Sequence, residues 1–264
     1  MTGWHVVDDG AGAPVVAIHG GLGLDHSYLR RGLAPLAARA RVLYVDLPGN
    51  GATPADVAGP ELTAWADGLD AVRAARGLER WSVLGHSWGG FAALTYAARY
   101  PDRLDRLMLI GAGPSMAHAP AALAAIDQRG QPAAVAALLA ALGAPAADDA
   151  SFARTWRDVL PLYFHRWEPR YEDAFAATRY RAAGYNHGAA QLATLDLTPT
   201  LPTITAPTLL VTGDDDFIMP AHLAAAALAA GLPDARSALV SDAGHFPFLE
   251  APGPTLAAIA DFLA

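Results

Sequence analysis

The stretch Gly85-His86-Ser87-Trp88-Gly89-Gly90 decides the fold, because it lies between two segments of different pattern. The apolar run Arg80 to Leu84 before it predicts a short buried strand, and Phe91 to Arg99 after it predicts a helix. A G-x-S-x-G turn between a strand and a helix is typical of a nucleophile elbow, whose serine adopts a strained backbone conformation. We therefore predict that Ser87 is a catalytic nucleophile. The alternative is a glycine-rich turn that carries a solvated serine.

A second glycine-rich turn follows an earlier apolar strand. Pro14 to Ile18 leads directly into His19-Gly20-Gly21-Leu22-Gly23. Glycine allows close approach of the backbone, so an N–H group of this turn can bind the oxyanion that develops during acyl transfer. We predict that the N–H of Gly21 is one oxyanion donor and that the N–H of Trp88, the residue after the serine, is the other. The alternative is an ordinary glycine turn after a strand.

Candidates for the acid and the base lie after the last two predicted strands. Gly213-Asp214-Asp215-Asp216 follows the apolar strand Pro207 to Thr212, and His245 lies on a glycine-bearing loop after the final strand. One of the aspartates can hold a histidine in the required tautomer, although a solvated acidic turn or a helix N-cap also accounts for the three. The order serine, aspartate, histidine along the chain favours a catalytic His245 over a structural histidine in an apolar setting.

Together these motifs resemble those of the α/β-hydrolases, over nearly the whole chain. Besides the elbow, the resemblance rests on His19 to Gly23, Asp46 to Gly51, Tyr100 to Leu104, Gly213 to Asp216 and Gly244 to Glu250. It implies the α/β-hydrolase fold, a mostly parallel, doubly wound sheet with a helical lid inserted between strands 6 and 7 of that fold. It also implies a catalytic triad of Ser87, Asp216 and His245 that needs no metal and no organic cofactor. The acid of the family usually stands three residues after the loop glycine, which is Asp216 here, and Asp215 is the second candidate.

Composition agrees with a compact protein that has a single core. The chain has 264 residues, of which 53% are hydrophobic and 17% charged, and its net charge is −8. This negative charge argues against nucleic acid or an anionic membrane surface as a partner. The sequence contains no Cys and no Lys, which excludes thiol chemistry, a lysine Schiff base and a Ser-Lys dyad. We expect a small-molecule or short-peptide substrate, and no feature of the sequence points to a particular oligomeric state.

The N-terminus and the longest apolar run both point away from a membrane. Met1 to His5 lacks the basic and apolar regions of a signal peptide. The run from Pro132 to Ala147 is rich in alanine, but it is too short to span a bilayer. We therefore expect a cytoplasmic protein without a membrane partner.

Apolar strands alternate with amphipathic helices, as in a parallel sheet that is covered on both faces. Strands are predicted at Trp4 to Val7, Val15 to Ile18, Val42 to Asp46, Trp81 to Leu84, Leu104 to Ile110, Thr208 to Thr212 and Ser237 to Val240. Helices are predicted at Ser27 to Arg39, Leu62 to Arg76, Trp88 to Arg99, Ala221 to Ala230 and Pro254 to Leu263. Residues 1–110 and 207–264 are the predicted core, and residues 111–206 are the predicted lid.

The segment 111–206, called the insert below, is rich in alanine and aromatic residues. Its aromatic side chains include Trp156, Tyr163, Phe164, Trp167, Tyr171, Phe175, Tyr180 and Tyr185. We predict that the insert is a helical lid over the active site, with Tyr163 and Trp167 among the substrate-binding residues. The alternative is a second packing layer without contact to substrate.

Two details narrow the family resemblance. The tryptophan after the serine and the flanking turns resemble the proline iminopeptidase branch, although Leu22 stands where that branch usually has proline. Asp46 to Gly51 is closer to the small-ester hydrolases. An aminopeptidase needs carboxylates that bind the free ammonium of its substrate, and Glu168, Glu172 and Asp173 are the candidates in the insert. Nearby arginines make helix-surface ion pairs the alternative, so an aminopeptidase and a carboxylesterase or lactonase both stay open.

The sequence therefore predicts a serine hydrolase that cleaves a small-molecule ester or amide bond through an acyl-enzyme. Ser87 attacks the carbonyl, His245 accepts its proton, and Asp216 orients the imidazole. A hypothesis of another class is a small-ligand receptor on a hydrolase fold with little turnover. The presence of all three residues argues against it, because a receptor has no need of this chemistry.

Overall fold

Seven strands form one sheet in the computed structural model, which describes residues 2–57, 61–124, 126–142, 144–192 and 194–264. They are β1 (Val6–Asp9), β2 (Pro14–Ile18), β3 (Arg41–Val45), β4 (Trp81–His86), β5 (Leu104–Ile110), β6 (Thr208–Gly213) and β7 (Ala235–Val240). Their order across the sheet is β1-β3-β2-β4-β5-β6-β7. β1 is antiparallel to β3, and every other pair of neighbours is parallel. The expected mostly parallel sheet is confirmed.

The direction of the strand order changes beside β2. β3 pairs with one edge of β2 and β4 pairs with the other, so the chain leaves these strands toward opposite ends of the sheet. At such a switch point, the turns that follow the carboxyl ends of the two strands border a crevice where ligands bind. The turns after β2 and β4, which carry the predicted oxyanion donors and Ser87, therefore meet at this crevice.

Helices cover both faces of the sheet. They are α1 (Ser27–Leu33), α2 (Leu62–Ala75), α3 (Trp88–Arg99), α4 (Ala119–Ala124), α5 (Pro132–Leu142), α6 (Asp149–Val159), α7 (Ala182–Leu192), α8 (Ala226–Gly231), α9 (Pro247–Glu250) and α10 (Pro252–Leu263). Along β2, Val15 and Ala17 belong to the core of one face and Val16 and Ile18 to that of the other, because side chains alternate along a strand. Within the described residues, the model contains no helix with the length and apolar character needed to cross a membrane.

Two predicted helices are divided in the structure. The first ends as α1 and continues as the 3₁₀ helix Ala34–Ala38. Pro35 lies in this second part, and proline lacks the N–H that the α-helical hydrogen-bond pattern requires. The segment predicted as one helix from Ala221 begins as the π-helical turn Ala221–Ala225 and becomes α-helical only in α8.

The first strand lies two residues further along the chain than predicted. β1 places Val6 opposite Val45 and Asp9 opposite Val42 in its antiparallel pairing with β3. Trp4, which the pattern placed in the strand, is buried in the core instead. A Cβ on Gly68 of α2 would lie 2.6 Å from the Trp4 ring, so the indole takes the place of a side chain on that helix.

The insert joins β5 to β6. Counted along this sheet, the insert lies between the fifth and sixth strands, whereas the family resemblance placed it between strands 6 and 7. Among its described residues the insert contains α4, α5, α6 and α7 together with short 3₁₀ segments. Its aromatic side chains pack into the same core cluster as α1 and α10.

Gly89→Ala should destabilise the protein, because a Cβ here would lie 2.4 Å from the Ile18 carbonyl oxygen and 2.5 Å from that of His19. These backbone atoms cannot move without disturbing β2, so we expect a loss of about 2–3 kcal/mol in the free energy of unfolding. Gly253→Ala is the control, since no described atom lies within 4 Å of its Cβ. Urea denaturation measures both variants, and equal stabilities would contradict this packing.

Candidate active site

Ser87 occupies the turn between β4 and α3 with φ 52° and ψ −119°. A positive φ is strained for a residue with a side chain, and Asp242 is the other non-glycine example among the described residues. Close packing enforces the turn, since a Cβ on Gly85 would lie 2.5 Å from the Gly89 carbonyl oxygen. The Ser87 N–H donates to the Ile110 carbonyl at 2.9 Å, which ties the turn to β5. The geometry is that of a nucleophile elbow.

His245 and Asp216 form a buried pair beside this turn. His245 Nδ1 lies 2.8 Å from Asp216 Oδ2, and the two side chains are 2% and 0% exposed. The other oxygen of Asp216 accepts the N–H groups of Ile218 at 3.0 Å and Met219 at 2.9 Å. Because a carboxylate only accepts hydrogen bonds, Nδ1 of His245 carries the proton. Nε2 is then the nitrogen with the free lone pair, as a general base requires.

Asp215, the second candidate for the acid, makes different contacts. Its carboxylate lies 2.7 Å from Arg129 Nη1 and 3.2 Å from His165 Nδ1, and its side chain is 40% exposed. The structure therefore brings Asp216, and not Asp215, to the imidazole of His245.

Hydrogen bonds to Tyr28 and His19 hold the start of the turn after β2. The Gly20 N–H donates to the Tyr28 hydroxyl at 2.6 Å. His19 Nδ1 donates to the Gly20 carbonyl at 2.9 Å, while its Nε2 accepts the Leu47 N–H at 3.1 Å. Burial lowers the pKa of His19, which favours this neutral tautomer. The Gly20 carbonyl and the Gly21 N–H belong to one trans peptide group, in which C=O and N–H point in opposite directions. Because this carbonyl points toward the His19 ring, the Gly21 N–H points away from it.

A cavity of about 730 Å³ opens at Ser87. Gly21, Trp88 and His245 line it together with the serine. Trp88 is the first residue of α3, so its N–H has no acceptor within the helix. The other walls come mainly from α5 and α6 and are apolar, through Ala137, Leu138, Ala141, Phe152, Trp156 and Val159.

The four predicted substrate-binding residues lie in different places. Tyr163 lines the cavity, and its carbonyl accepts the His245 N–H at 2.7 Å. Trp167 packs against Phe164 at 5.2 Å between ring centroids and does not line the cavity. Glu168 is paired with Arg170 at 2.8 Å, and Glu172 is exposed, so neither carboxylate faces the cavity. The structure thus brings only Tyr163 to the predicted catalytic residues.

α6 carries a polar stripe that belongs to none of the sequence motifs. Ser151, Thr155 and Asp158 line the cavity from successive turns of the helix. Their spacing of four and three residues places them on one face. Asp158 is exposed and supplies a carboxylate to a cavity whose wall from α5 is apolar. The spacing was visible in the sequence, but nothing local showed that this face is turned toward the cavity.

His86, directly before Ser87, connects the two turns of the site. Its Nε2 donates to the His245 carbonyl at 2.9 Å, and its Nδ1 accepts the Tyr28 hydroxyl at 2.7 Å. Burial and the neighbouring His245 hold the pKa of His86 well below its usual range, so this ring is neutral. Because the Tyr28 hydroxyl also accepts the Gly20 N–H, a buried chain of hydrogen bonds joins the turn after β2 to the His245 loop. Tyr28 is 58 residues away from His86, and no sequence motif links them.

The sequence pattern of the α/β hydrolase fold family matches residues 13–252. The chain belongs to this family. It is 36% identical over 228 residues to the pimeloyl-(acyl-carrier protein) methyl ester esterase of Aromatoleum aromaticum. The aligned region covers 82% of this chain and 85% of that esterase. It is 30% identical over 249 residues to a proline iminopeptidase of Pestalotiopsis fici, with 89% and 86% covered. An esterase from Exiguobacterium antarcticum has a similar structure, with a TM-score of 0.77, 21% identity and coverage of 98% and 95%.

These comparisons confirm the expected fold and the likeness to proline iminopeptidases. The α/β hydrolase has relatives that cleave esters and relatives that cleave peptides. Hydrolysis is the chemistry that these relatives share.

Asp46 of this α/β hydrolase holds the turns around the site together. Its Oδ1 accepts the His26 N–H at 3.1 Å and lies 2.6 Å from His26 Nδ1, and its Oδ2 accepts the Ala52 N–H at 2.8 Å. Donor atoms of His5, His26 and Asp46 lie within 4.8 Å of one another, close enough for a cation. The carboxylate oxygens already serve these hydrogen bonds, so the structural role accounts for the cluster.

Asp46→Asn should lower stability at neutral pH. Burial alone would raise the pKa of Asp46, but the hydrogen bond from His26, the nearby histidines and the Ala52 N–H lower it to about 2. A folded-state pKa below the unfolded value stabilises the protein above about pH 4, and this stabilisation is lost as the pH falls toward 2. We expect a difference of about 2 kcal/mol from wild type at pH 6 that shrinks below pH 4.

Urea denaturation between pH 2 and 7 measures this difference. Asp261→Asn, at an exposed position of α10, is the matched control and should follow the wild type throughout. A gap between Asp46→Asn and wild type that stays constant with pH would contradict the assignment.

Proposed function

We propose that this protein is a serine carboxylesterase that cleaves esters of apolar acyl groups through an acyl-enzyme. One observation carries the proposal: a strained Ser87 and a buried His245–Asp216 pair border one apolar cavity. Sequence similarity to a methyl ester esterase supports the choice of ester over amide. The chemistry needs no metal or organic cofactor.

The geometry gives each group a step in the reaction. Ser87 Oγ attacks the carbonyl carbon of the ester while Nε2 of His245 accepts the hydroxyl proton. Asp216 holds the imidazole in the required tautomer and stabilises the imidazolium. The N–H groups of Gly21 and Trp88 bind the oxyanion of the tetrahedral intermediate. His245 then protonates the leaving alkoxide, and water hydrolyses the acyl-enzyme by the same steps in reverse order.

The composition of the cavity walls supports an apolar acyl group. α5 consists of proline, alanine, valine and leucine alone, and it forms one wall. Burying a CH₂ group stabilises a complex by about 0.8 kcal/mol, or roughly a fourfold gain in affinity. The insert would thus act as a lid that selects the acyl chain, and we assign it this role over residues 111–206.

A second candidate function is a proline iminopeptidase-like aminopeptidase. Asp158, in the polar stripe of α6, is the specific observation that favours it, because a carboxylate at the cavity can bind a substrate ammonium. The relative from Pestalotiopsis fici is named as an enzyme of this type. The glutamates Glu168 and Glu172 do not line the cavity, so Asp158 replaces them as the candidate anchor.

Ser87→Ala and His245→Ala should each lower kcat for an aryl ester by about 10⁵–10⁶, because the three groups act as a unit. Asp216→Asn should cost about 10⁴, since it places the wrong tautomer beside the serine. Asp215→Asn is the matched control and should keep most of the activity. Initial rates and the pre-steady-state burst of aryl alcohol measure these effects.

Two outcomes would overturn this assignment. A larger loss in Asp215→Asn than in Asp216→Asn would remove Asp216 as the acid. A folded wild type without burst or turnover on any ester or arylamide would favour the small-ligand receptor over the enzyme.

Substrate preference follows from the two kinds of cavity wall. For p-nitrophenyl esters, kcat/KM should rise by about fourfold per CH₂ from acetate toward hexanoate as the chain enters the apolar walls. Asp158→Asn should leave these ester rates unchanged. If the aminopeptidase function applies, the same variant should raise KM for proline and alanine arylamides sharply.

Glu168→Gln is the matched control for that variant, because Glu168 pairs with Arg170 outside the cavity. Arylamide cleavage that depends on Asp158, together with flat ester rates along the series, would favour the aminopeptidase over the esterase. If the wild type cleaves no arylamide, the aminopeptidase function is excluded and the esterase function remains.

A further inference from the structure

Glu250 contacts two different segments at the His245 loop. It is the last residue of α9, and its side chain is partly buried. One carboxylate oxygen accepts the Gly244 N–H at 2.8 Å, and the other accepts the His165 N–H at 2.7 Å. Gly244 directly precedes His245, whereas His165 belongs to the insert. The carboxylate therefore bridges the catalytic loop and the insert.

The two bridged segments pack without space between them. The His245 N–H donates to the Tyr163 carbonyl at 2.7 Å. A Cβ on Gly244 would lie 2.4 Å from the same Tyr163 oxygen and 2.8 Å from the His165 nitrogen. Because Tyr163 also lines the cavity, a shift of the segment Tyr163 to His165 would move the cavity wall and the His245 backbone together.

An ionised carboxylate at this position is costly. Burial raises the pKa of Glu250 to about 7, although the N–H groups of Gly244 and His165 and the charge of His165 lower it. Asp216, on the loop after β6, adds to the rise. Asp215 and Asp242 lie beyond the His165 ring, at 3.2 Å and 3.8 Å from its nitrogens. Only the ionised form accepts both N–H groups freely, because protonation turns one oxygen into a donor.

We infer that the ionised Glu250 carboxylate is a positioning residue for His245, which it holds in register with the insert by accepting the N–H groups of Gly244 and His165. The inference rests on the proposed hydrolase function. Glu250 does not line the cavity, and it acts on His245 through the backbone of Gly244 and of the neighbouring insert segment. Catalytic groups must be held to within a fraction of an ångström, and a misplacement of 1 Å can cost about 100-fold in rate.

The role has a consequence for the pH profile. As the pH falls through about 7, Glu250 takes up a proton and loses one of its two bonds. Protonation of Glu250 should cost part of the rate and not all of it, because the general base stays in place but is held less precisely. The acid limb of log kcat/KM for the wild type should therefore contain a partial loss of about 10–100-fold centred near pH 7.

Glu250→Gln is the decisive variant. An amide keeps one acceptor oxygen and turns its NH₂ group toward the other N–H, so one of the two bonds is lost. We expect kcat to fall by about 10–100-fold with KM changed less than twofold, and the partial loss near pH 7 to disappear from the acid limb. Glu79→Gln, at an exposed position outside the site, is the matched control and should match the wild type.

A second readout does not depend on turnover. The proton of His245 Nδ1, shared with Asp216, gives a downfield ¹H NMR signal when the pair is held rigidly. We expect this signal in wild type and in Glu79→Gln, and its broadening or loss in Glu250→Gln. An unchanged signal together with unchanged kcat and acid limb would overturn the role of Glu250.

Other results separate a failure of the positioning role of Glu250 from a failure of the proposed function. If Glu250→Gln does not fold, the pH profile of the wild type decides, since a profile without the partial loss near pH 7 overturns the inference and a profile with it supports the inference. If the wild type hydrolyses no ester or amide, the proposed function fails, and the NMR comparison alone tests Glu250. A wild type that is active while Glu250→Gln is indistinguishable from it overturns only the positioning role.

Discussion

Close backbone packing at the switch point of the sheet is the constraint on which the rest of this structure depends. A Cβ on Gly20, Gly85 or Gly89 would lie 2.4–2.6 Å from backbone atoms of the neighbouring turn, strand or helix. Side chains are excluded there, so β2, β4 and α3 approach closely enough to force Ser87 into a positive φ. The same approach brings the turn after β2 beside the serine. One steric requirement thus places both the candidate nucleophile and the candidate oxyanion donors.

Buried neutral histidines then fix the orientation of the backbone groups. A hydrogen bond from His19 orients the peptide group between Gly20 and Gly21. The ring of His86 accepts the Tyr28 hydroxyl and donates to the carbonyl of His245. Burial lowers the pKa of both rings, so each acts as one donor and one acceptor. Dipoles that are fixed before the substrate arrives need no reorganisation during the reaction, which is the physical basis of electrostatic catalysis.

The insert borders the cavity and contacts the loop that carries His245. Its helices α5 and α6 form the apolar walls of the cavity, and its segment Tyr163 to His165 is hydrogen-bonded to the His245 loop. A change in the insert can therefore alter both the shape of the cavity and the position of the His245 backbone.

The local pattern of the sequence determined the elements that depend on neighbours in the chain. The elbow at Ser87, the bounds of α3 and the order of the catalytic candidates follow from glycine spacing and apolar periodicity, which are local properties. Tertiary structure alone decided which aspartate meets His245, because Asp215 and Asp216 are adjacent in a turn and point in different directions. It also placed Asp158 at the cavity and Glu168 outside it, and it brought Glu250 to the insert. Such contacts join residues far apart in the chain, and only the packing of the sheet against the insert sets their distances.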